Sequence, residues 1–162
     1  MATTVNNTTA NVRITIIFDA NGPIDGDGPA KGTGNTESDV YVDSKFYENI
    51  RSHTEVPSEI HALQWNATTN TGTLEYTDNR ENESISSLPQ WATNVVIRCE
   101  AQDLWKTTHD DYVTKETQDI LANPEIDKET DEFEYNNRIG PAAKTAANTA
   151  RDDYLAEHNI TY

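Results

Sequence analysis

The sequence predicts an α+β fold, in which a small antiparallel sheet formed by the N-terminal half packs with C-terminal helices. Three observations predict it. Val12, Ile14, Ile16 and Phe18 are apolar at alternate positions, with Arg13 and Thr15 between the first three, the period of a half-buried strand. Residues 60–65 and 73–76 are apolar-rich runs flanking a Thr/Asn turn that reaches Gly72, which reads as a hairpin. From Pro89 the apolar spacing changes to i, i+4, the period of a helix face.

Taken in order, residues 1–11 read as a flexible Thr/Asn-rich arm and residues 12–88 as a β-rich domain. The first strand ends at the turn signal Asp19-Ala-Asn-Gly22. Residues 19–38 then hold five glycines, two prolines and four acids, which predicts a long Gly-rich surface loop. Val40 and Val42 centre a short strand over 39–43, and Phe46, Tyr47 and Ile50 are spaced for a helical turn within 44–52. In the hairpin, His61, Leu63 and Trp65 are expected on one side with Leu74 and Tyr76. If Trp65 opposes Leu74, then Leu63 opposes Tyr76 and the apolar face is coherent. Ile85 marks a short extended piece ending at Leu88.

Residues 89–162 form the helical region, with helices expected at about 89–122 and 141–158. Ser87 suits the N-cap region and Pro89 the first turn. Trp91, Val95, Cys99 and Gln102 mark one face, which Trp105, His109, Tyr112, Val113 and Ile120 continue after a kink near residue 107. Asn123-Pro124 ends this helix, and residues 125–134 read as a linker or exposed helix. After Gly140-Pro141, residues Ala143, Ala146, Ala147, Ala150 and Tyr154 make a small-residue stripe. Such a stripe fits close packing against another helix, in this chain or in a neighbour.

Composition limits function. The chain has 162 residues and a net charge of -16. Leu, Ile, Val and Phe number 29, about 18%, which is thin for an ordered domain of this charge. Three Trp and seven Tyr offset that, because each ring buries a large area. More than half of the net charge, -9, sits in residues 100–134. That acidic run reads as a solvated helix face, or as a docking surface for a basic partner. A surface at -16 repels nucleic acid and anionic lipid, so neither a nucleic-acid nor a membrane partner is expected. No secretory signal is recognisable at the N-terminus, and aliphatic or aromatic runs do not exceed three residues. The single cysteine, Cys99, excludes an internal disulfide and falls on the apolar face of the first helix, as an inert core thiol does.

Signatures of catalysis are missing: neither a dinucleotide nor a phosphate loop matches, and no zinc or nucleophile-elbow motif does. The expectation is a non-enzymatic chain without cofactors. Asp19, Asn21, Asp25 and Asp27 offer hard oxygen ligands among glycine turns, the chemistry Ca²⁺ requires. Pro23 at the third ligand position and the lack of a twelfth-position glutamate depart from the EF-hand, so a solvated loop is the better reading. His61, beside Leu63 and Trp65, reads as a half-buried histidine satisfied within the fold.

The segment Val56-Pro-Ser-Glu-Ile60-His-Ala-Leu-Gln-Trp65, followed by Gly72-Thr-Leu-Glu-Tyr76, Ile85 and Leu88-Pro-Gln-Trp91, resembles a small family. Its members are virion-structural or tail-fibre-associated proteins of tailed phages, particularly those of marine cyanobacteria. The resemblance covers 36 positions, residues 56–91. It implies a virion protein of the tail, baseplate or fibre-attachment region, assembled in the host cytoplasm. Its partners would be other virion proteins and copies of itself. A tail-fibre assembly chaperone absent from the mature particle, or a capsid decoration protein, is the alternative. His61, Leu63, Trp65, Leu74, Tyr76 and Trp91 are then a structural aromatic motif that supports a hairpin on a helix.

Overall fold

A computed structural model describes residues 11–17, 37–51, 56, 57, 59–122 and 135–160. The fold is α+β: six strands form one antiparallel sheet, and two long helices follow. The strands are β1 (Val12–Ile17), β2 (Glu37–Val42), β3 (Lys45–Arg51), β4 (Ile60–Asn66), β5 (Thr71–Tyr76) and β6 (Glu83–Ile85). Their order across the sheet is β3-β2-β1-β4-β5-β6, so β1 lies between two locally connected groups.

The expected helical turn in 44–52 is corrected to strand β3. Asp43 and Ser44 have φ of 50° and 72°, and positive φ at both central residues makes a two-residue hairpin turn matched to strand twist. Phe46, Tyr47 and Ile50 fit helical spacing, but the turn before them decides. A β-bulge between Ser38 and Val40 shifts the far end of this hairpin. Strand β2 also begins earlier than the expected 39–43, taking in residues 37 and 38 from the Gly-rich stretch.

The β4–β5 register is corrected as well. Leu63 faces Leu74, and Trp65 faces Gly72, two residues from the expected pairing. The connecting turn is shorter than the Thr/Asn run implied, because Asn66 and Thr71 already pair. Asn66 Oδ1 accepts hydrogen bonds from the Thr68 and Thr69 amides (2.9 and 3.2 Å), and Asn70 takes φ of 50°. Gly72 is required there: a Cβ would stand 2.6 Å from the Gln64 carbonyl oxygen and 2.9 Å from Trp65 Cε3. A bulge between Ile60 and Ala62 breaks the alternation of β4. Ile60, Leu63 and Trp65 are buried while His61 is exposed, so the half-buried reading of His61 is corrected.

Helix α1 (Gln90–Leu121) runs uninterrupted for 32 residues, including through residue 107 where a kink was expected. It has no acid in its first turn and no base in its last, so tertiary packing holds it in place of dipole compensation. Ala92, Val95 and Cys99 face the sheet and close a core with Ile14, Val40, Leu63, Trp65 and Leu74. Ile97 and Ala101 turn the other way, against Leu155, Ile160 and Tyr154 of the C-terminal segment. The helix is therefore apolar on two sides, which explains its length despite a weak single-face pattern.

A π-helical turn (Tyr135–Ile139) leads directly into α2 (Gly140–Glu157), with Pro141 in its first turn. Down the π-helical turn and α2, Arg138, Asn148 and Tyr154 meet Glu116, Trp105 and Glu100, in ascending order along this segment and descending order along α1. The pair is therefore antiparallel. The end of α2 is closed by the Ile160 amide donating to the Leu155 carbonyl (2.9 Å) and the Asn159 amide to that of Ala156 (3.0 Å), with Asn159 at φ 58°. This is a Schellman closure with asparagine in the left-handed position, and Ile160 packs back near Leu155.

Candidate functional site

Helix α1 covers one face of the sheet. The face it leaves open is set by strand parity, because residues alternating with Ile14, Leu63 and Leu74 point away from the helix. Register places Asp43, Arg13, Gln64, Thr73 and Ser84 in one row across five strands or strand ends. Asn66 and Thr71 pair in a second row, with Asn11 and Ser86 at its ends. These residues line a shallow, solvent-open groove of about 750 Å³.

The groove is held by its own polar bonds. Gln64 Nε2 donates to Glu75 Oε1 (2.8 Å), and the Arg13 guanidinium lies 3.5 Å from the same oxygen. Asp43 Oδ1 accepts from the Arg13 amide (2.8 Å), while the Asp43 amide donates to the Arg13 carbonyl (2.9 Å). At the other end, Asn11 Oδ1 accepts from the Ala67 amide (2.9 Å). Arg13 and Asp43 are the two charged residues of the lining, and their charges balance.

Beside the groove, Arg13, Thr15, Tyr41 and Ser44 line a smaller depression of about 270 Å³. Tyr41 packs against Phe46 across the β2–β3 pair as a tilted pair, with ring centroids 5.1 Å apart and ring planes 51° apart. They are the exposed large apolar side chains among the described residues, at 39% and 42% exposure. Among the described residues the other aromatic rings whose burial is described are buried or half-buried, so this pair is the apolar feature most open to solvent there.

The residues singled out from sequence fall elsewhere. Leu63, Trp65 and Leu74 are buried on the helix side of the sheet, and Tyr76 and Trp91 pack half-buried against the same core. His61 is exposed, apart from that cluster. Ala143 and Ala147 are fully buried, and Ala146, Ala150 and Tyr154 half-buried, on the helix that packs on α1 of the same chain. Asp19, Asn21, Asp25 and Asp27 lie outside the described residues, as do most of the 1–11 arm and the 125–134 linker. Among the described residues no cluster of three His, Cys, Asp or Glu could hold a metal, and no helix is long and apolar enough to cross a membrane.

The acidic run supplies structural contacts. Asp103 accepts from both Lys45 Nζ and Tyr47 OH (2.7 Å each), tying α1 to the edge strand β3, and Gln102 Nε2 donates to the Glu48 carbonyl (2.9 Å). Glu100 accepts from Tyr154 OH, and Glu116 from Arg138 (3.2 Å). Burial, reinforced by these carboxylates, raises the pKa of Tyr47 and of Tyr154. Burial also pushes the Cys99 thiol well up, which makes it a poor nucleophile. His109 lies stacked on Trp105, centroids 4.9 Å apart, and Trp105 Nε1 donates to Asn148 (2.8 Å). These groups fix the helix pair.

Arg13, Gln64, Thr73, Tyr41 and Phe46 were not singled out from sequence. The available signal was the polar phase of each strand, which the hydrophobic phase overshadows. No family model matches the chain, and neither curated proteins nor solved structures yield a match.

Proposed function

We propose that this chain is a non-enzymatic structural protein of a tailed-phage virion, in the tail, baseplate or fibre-attachment region. It works through protein–protein contacts made by the helix-free face of its sheet. The observation that carries the contact reading is the exposed, mutually packed Tyr41–Phe46 pair, because aromatic anchors on an otherwise polar face are what protein interfaces use. Placement in a virion rests on the resemblance of residues 56–91 to tail-associated phage proteins. The packing of Trp65 and Trp91 in one core supports reading that segment as scaffold.

Quantitative mass spectrometry of purified particles tests the placement. The chain is expected at a fixed stoichiometry to the major tail proteins. Absence from particles, with abundance in infected-cell lysate, would overturn it in favour of an assembly chaperone. Phe46→Ser tests the surface: folding should be unchanged and incorporation into particles reduced.

A further inference from the structure

We propose that the groove on the helix-free face binds a neutral saccharide. This goes beyond the protein-contact reading and does not depend on it, since the groove and the Phe46 ring are separate features of the face. Three properties of the groove select the ligand.

The first is charge. On a chain at -16, the lining carries one cation, Arg13, and one anion, Asp43, and the Arg13 guanidinium is already turned to Glu75. An anionic ligand would meet an unfavourable overall field and a cation already engaged. A cationic one would find Glu75 shared with the Arg13 guanidinium and Asp43 Oδ1 engaged by the Arg13 main-chain amide. A neutral ligand loses nothing on either count.

The second is the backbone. Most of the groove lies over β1, β4 and β5, interior strands paired on both sides, and its far end reaches Ser84 and Ile85 of the edge strand β6. Over the three interior strands the amides and carbonyls are committed to the ladder, so an extended peptide cannot bind across the groove by strand addition. Recognition there has to come from side chains.

The third is the kind of side chain. Gln64 Nε2 is spent on Glu75, Asn66 Oδ1 on the Thr68 and Thr69 amides and Thr71 Oγ1 on Thr69, which leaves Gln64 Oε1, Asn66 Nδ2 and the Thr73 and Ser84 hydroxyls as groups that together donate and accept. A saccharide presents the same dual chemistry at a regular spacing along a chain.

The test is an NMR titration of the isotope-labelled full chain. The probes are maltohexaose, cellohexaose, a β-1,3-glucan hexamer and chitohexaose, with an uncharged Gly/Ser peptide and a sulfated oligosaccharide as the other arms. At least one neutral saccharide is expected to shift the amides of residues 11–13, 64–66, 71–73 and 84–86. Gln64→Ala with Thr73→Ala should weaken that binding by at least about tenfold, and Phe46→Ser should leave it unchanged. The amide spectrum itself reports whether each variant is folded. The proposal is overturned if none of the four neutral saccharides shifts those amides at millimolar concentration. It is equally overturned if only the peptide or the sulfated probe does, or if the groove variants bind as well as the parent. Because Phe46→Ser reads incorporation into particles and Gln64→Ala reads saccharide binding, the two proposals fail separately.

Discussion

Gly72 stands opposite Trp65 with no room for a side chain. A methyl group would press on the Gln64 carbonyl and on the indole together, and neither is the free end of a flexible side chain. Gly72→Ala should therefore lower stability by about 1–3 kcal/mol, the usual cost of overpacking, as measured by urea denaturation. Asn159 presents the opposite case. It holds a left-handed conformation at the end of α2, where glycine carries no Cβ penalty. Asn159→Gly should leave stability equal or raised by up to about 1 kcal/mol, and Asn159→Val should lower it.

Two phenols, the buried Tyr47 and the half-buried Tyr154, make a pH prediction. In the folded chain the pKa of Tyr47 and of Tyr154 is raised above the ordinary 10.0 by burial, then by hydrogen bonds to Asp103 and Glu100. Below pH 10 both states hold these protons and stability is unaffected. Above it the unfolded chain ionises first, so stability falls as pH rises, by up to about 1.4 kcal/mol per pH unit for each phenol. The double variant Tyr47→Phe, Tyr154→Phe should start less stable at pH 8 and show a shallower decline between pH 10 and 12.

Among the elements, α1 is the layer on which everything else rests, with the sheet on one side and α2 on the other. The small residues of α2 set the spacing of the second contact. Ala143 and Ala147 are fully buried, so Ala147→Leu forces the helices apart and should cost about 1–3 kcal/mol. Because the stripe is covered by α1 within the chain, that loss should appear in thermal unfolding, with no change of oligomeric state by light scattering.

Much of this layer order was legible in sequence. The period-two run of β1 expresses one dominant contact, and the i, i+4 series Trp91, Val95, Cys99 of α1 expresses its contact with the sheet, while Ile97 and Ala101 on its second apolar side fall outside that series. Strand β3 was not legible, because Phe46, Tyr47 and Ile50 satisfy helical spacing and an Asp-Ser pair lacks the glycine that announces a tight hairpin. The β4–β5 register was not legible because Asn66 and Thr71 pair, so the turn is tighter than its Thr/Asn run implies and the partners shift by two residues at the same parity. The bulges at 38–40 and 60–62 each insert a residue into one strand, which shifts parity without any change in composition. The groove was least legible of all. It is assembled from single polar residues of four strands, so it exists in no contiguous segment.

For the molecule as a whole, a charge of -16 is tolerated because some of the acids are partnered. Asp103, Glu100 and Glu116 each accept a hydrogen bond that ties one element to another. The remainder repel one another across the surface. Raising sodium chloride from low to physiological concentration and beyond should raise the melting temperature, since screening relieves that repulsion over distances of about 10 Å at 0.1 M. A melting temperature that fell with salt would mean that exposed pairs such as Arg80 with Asp78 (2.8 Å) outweigh the repulsion.

The position of β1 has a mechanical consequence. Strands β2–β3 form one meander and β4–β5–β6 another, and each can assemble from neighbouring sequence alone. Within the sheet, among the described residues, hydrogen bonds between the two meanders pass only through β1. That strand works like the spine of a book: both covers are complete without it, yet they turn independently until it is in place. Its closure with β4 spans about fifty residues, which favours a late step in folding. Ile14→Ala should accordingly speed unfolding far more than it slows folding in stopped-flow measurements. An agent that displaced β1 would release two intact half-sheets, divide the groove between Arg13 and Gln64, and leave α1 as the hinge between them.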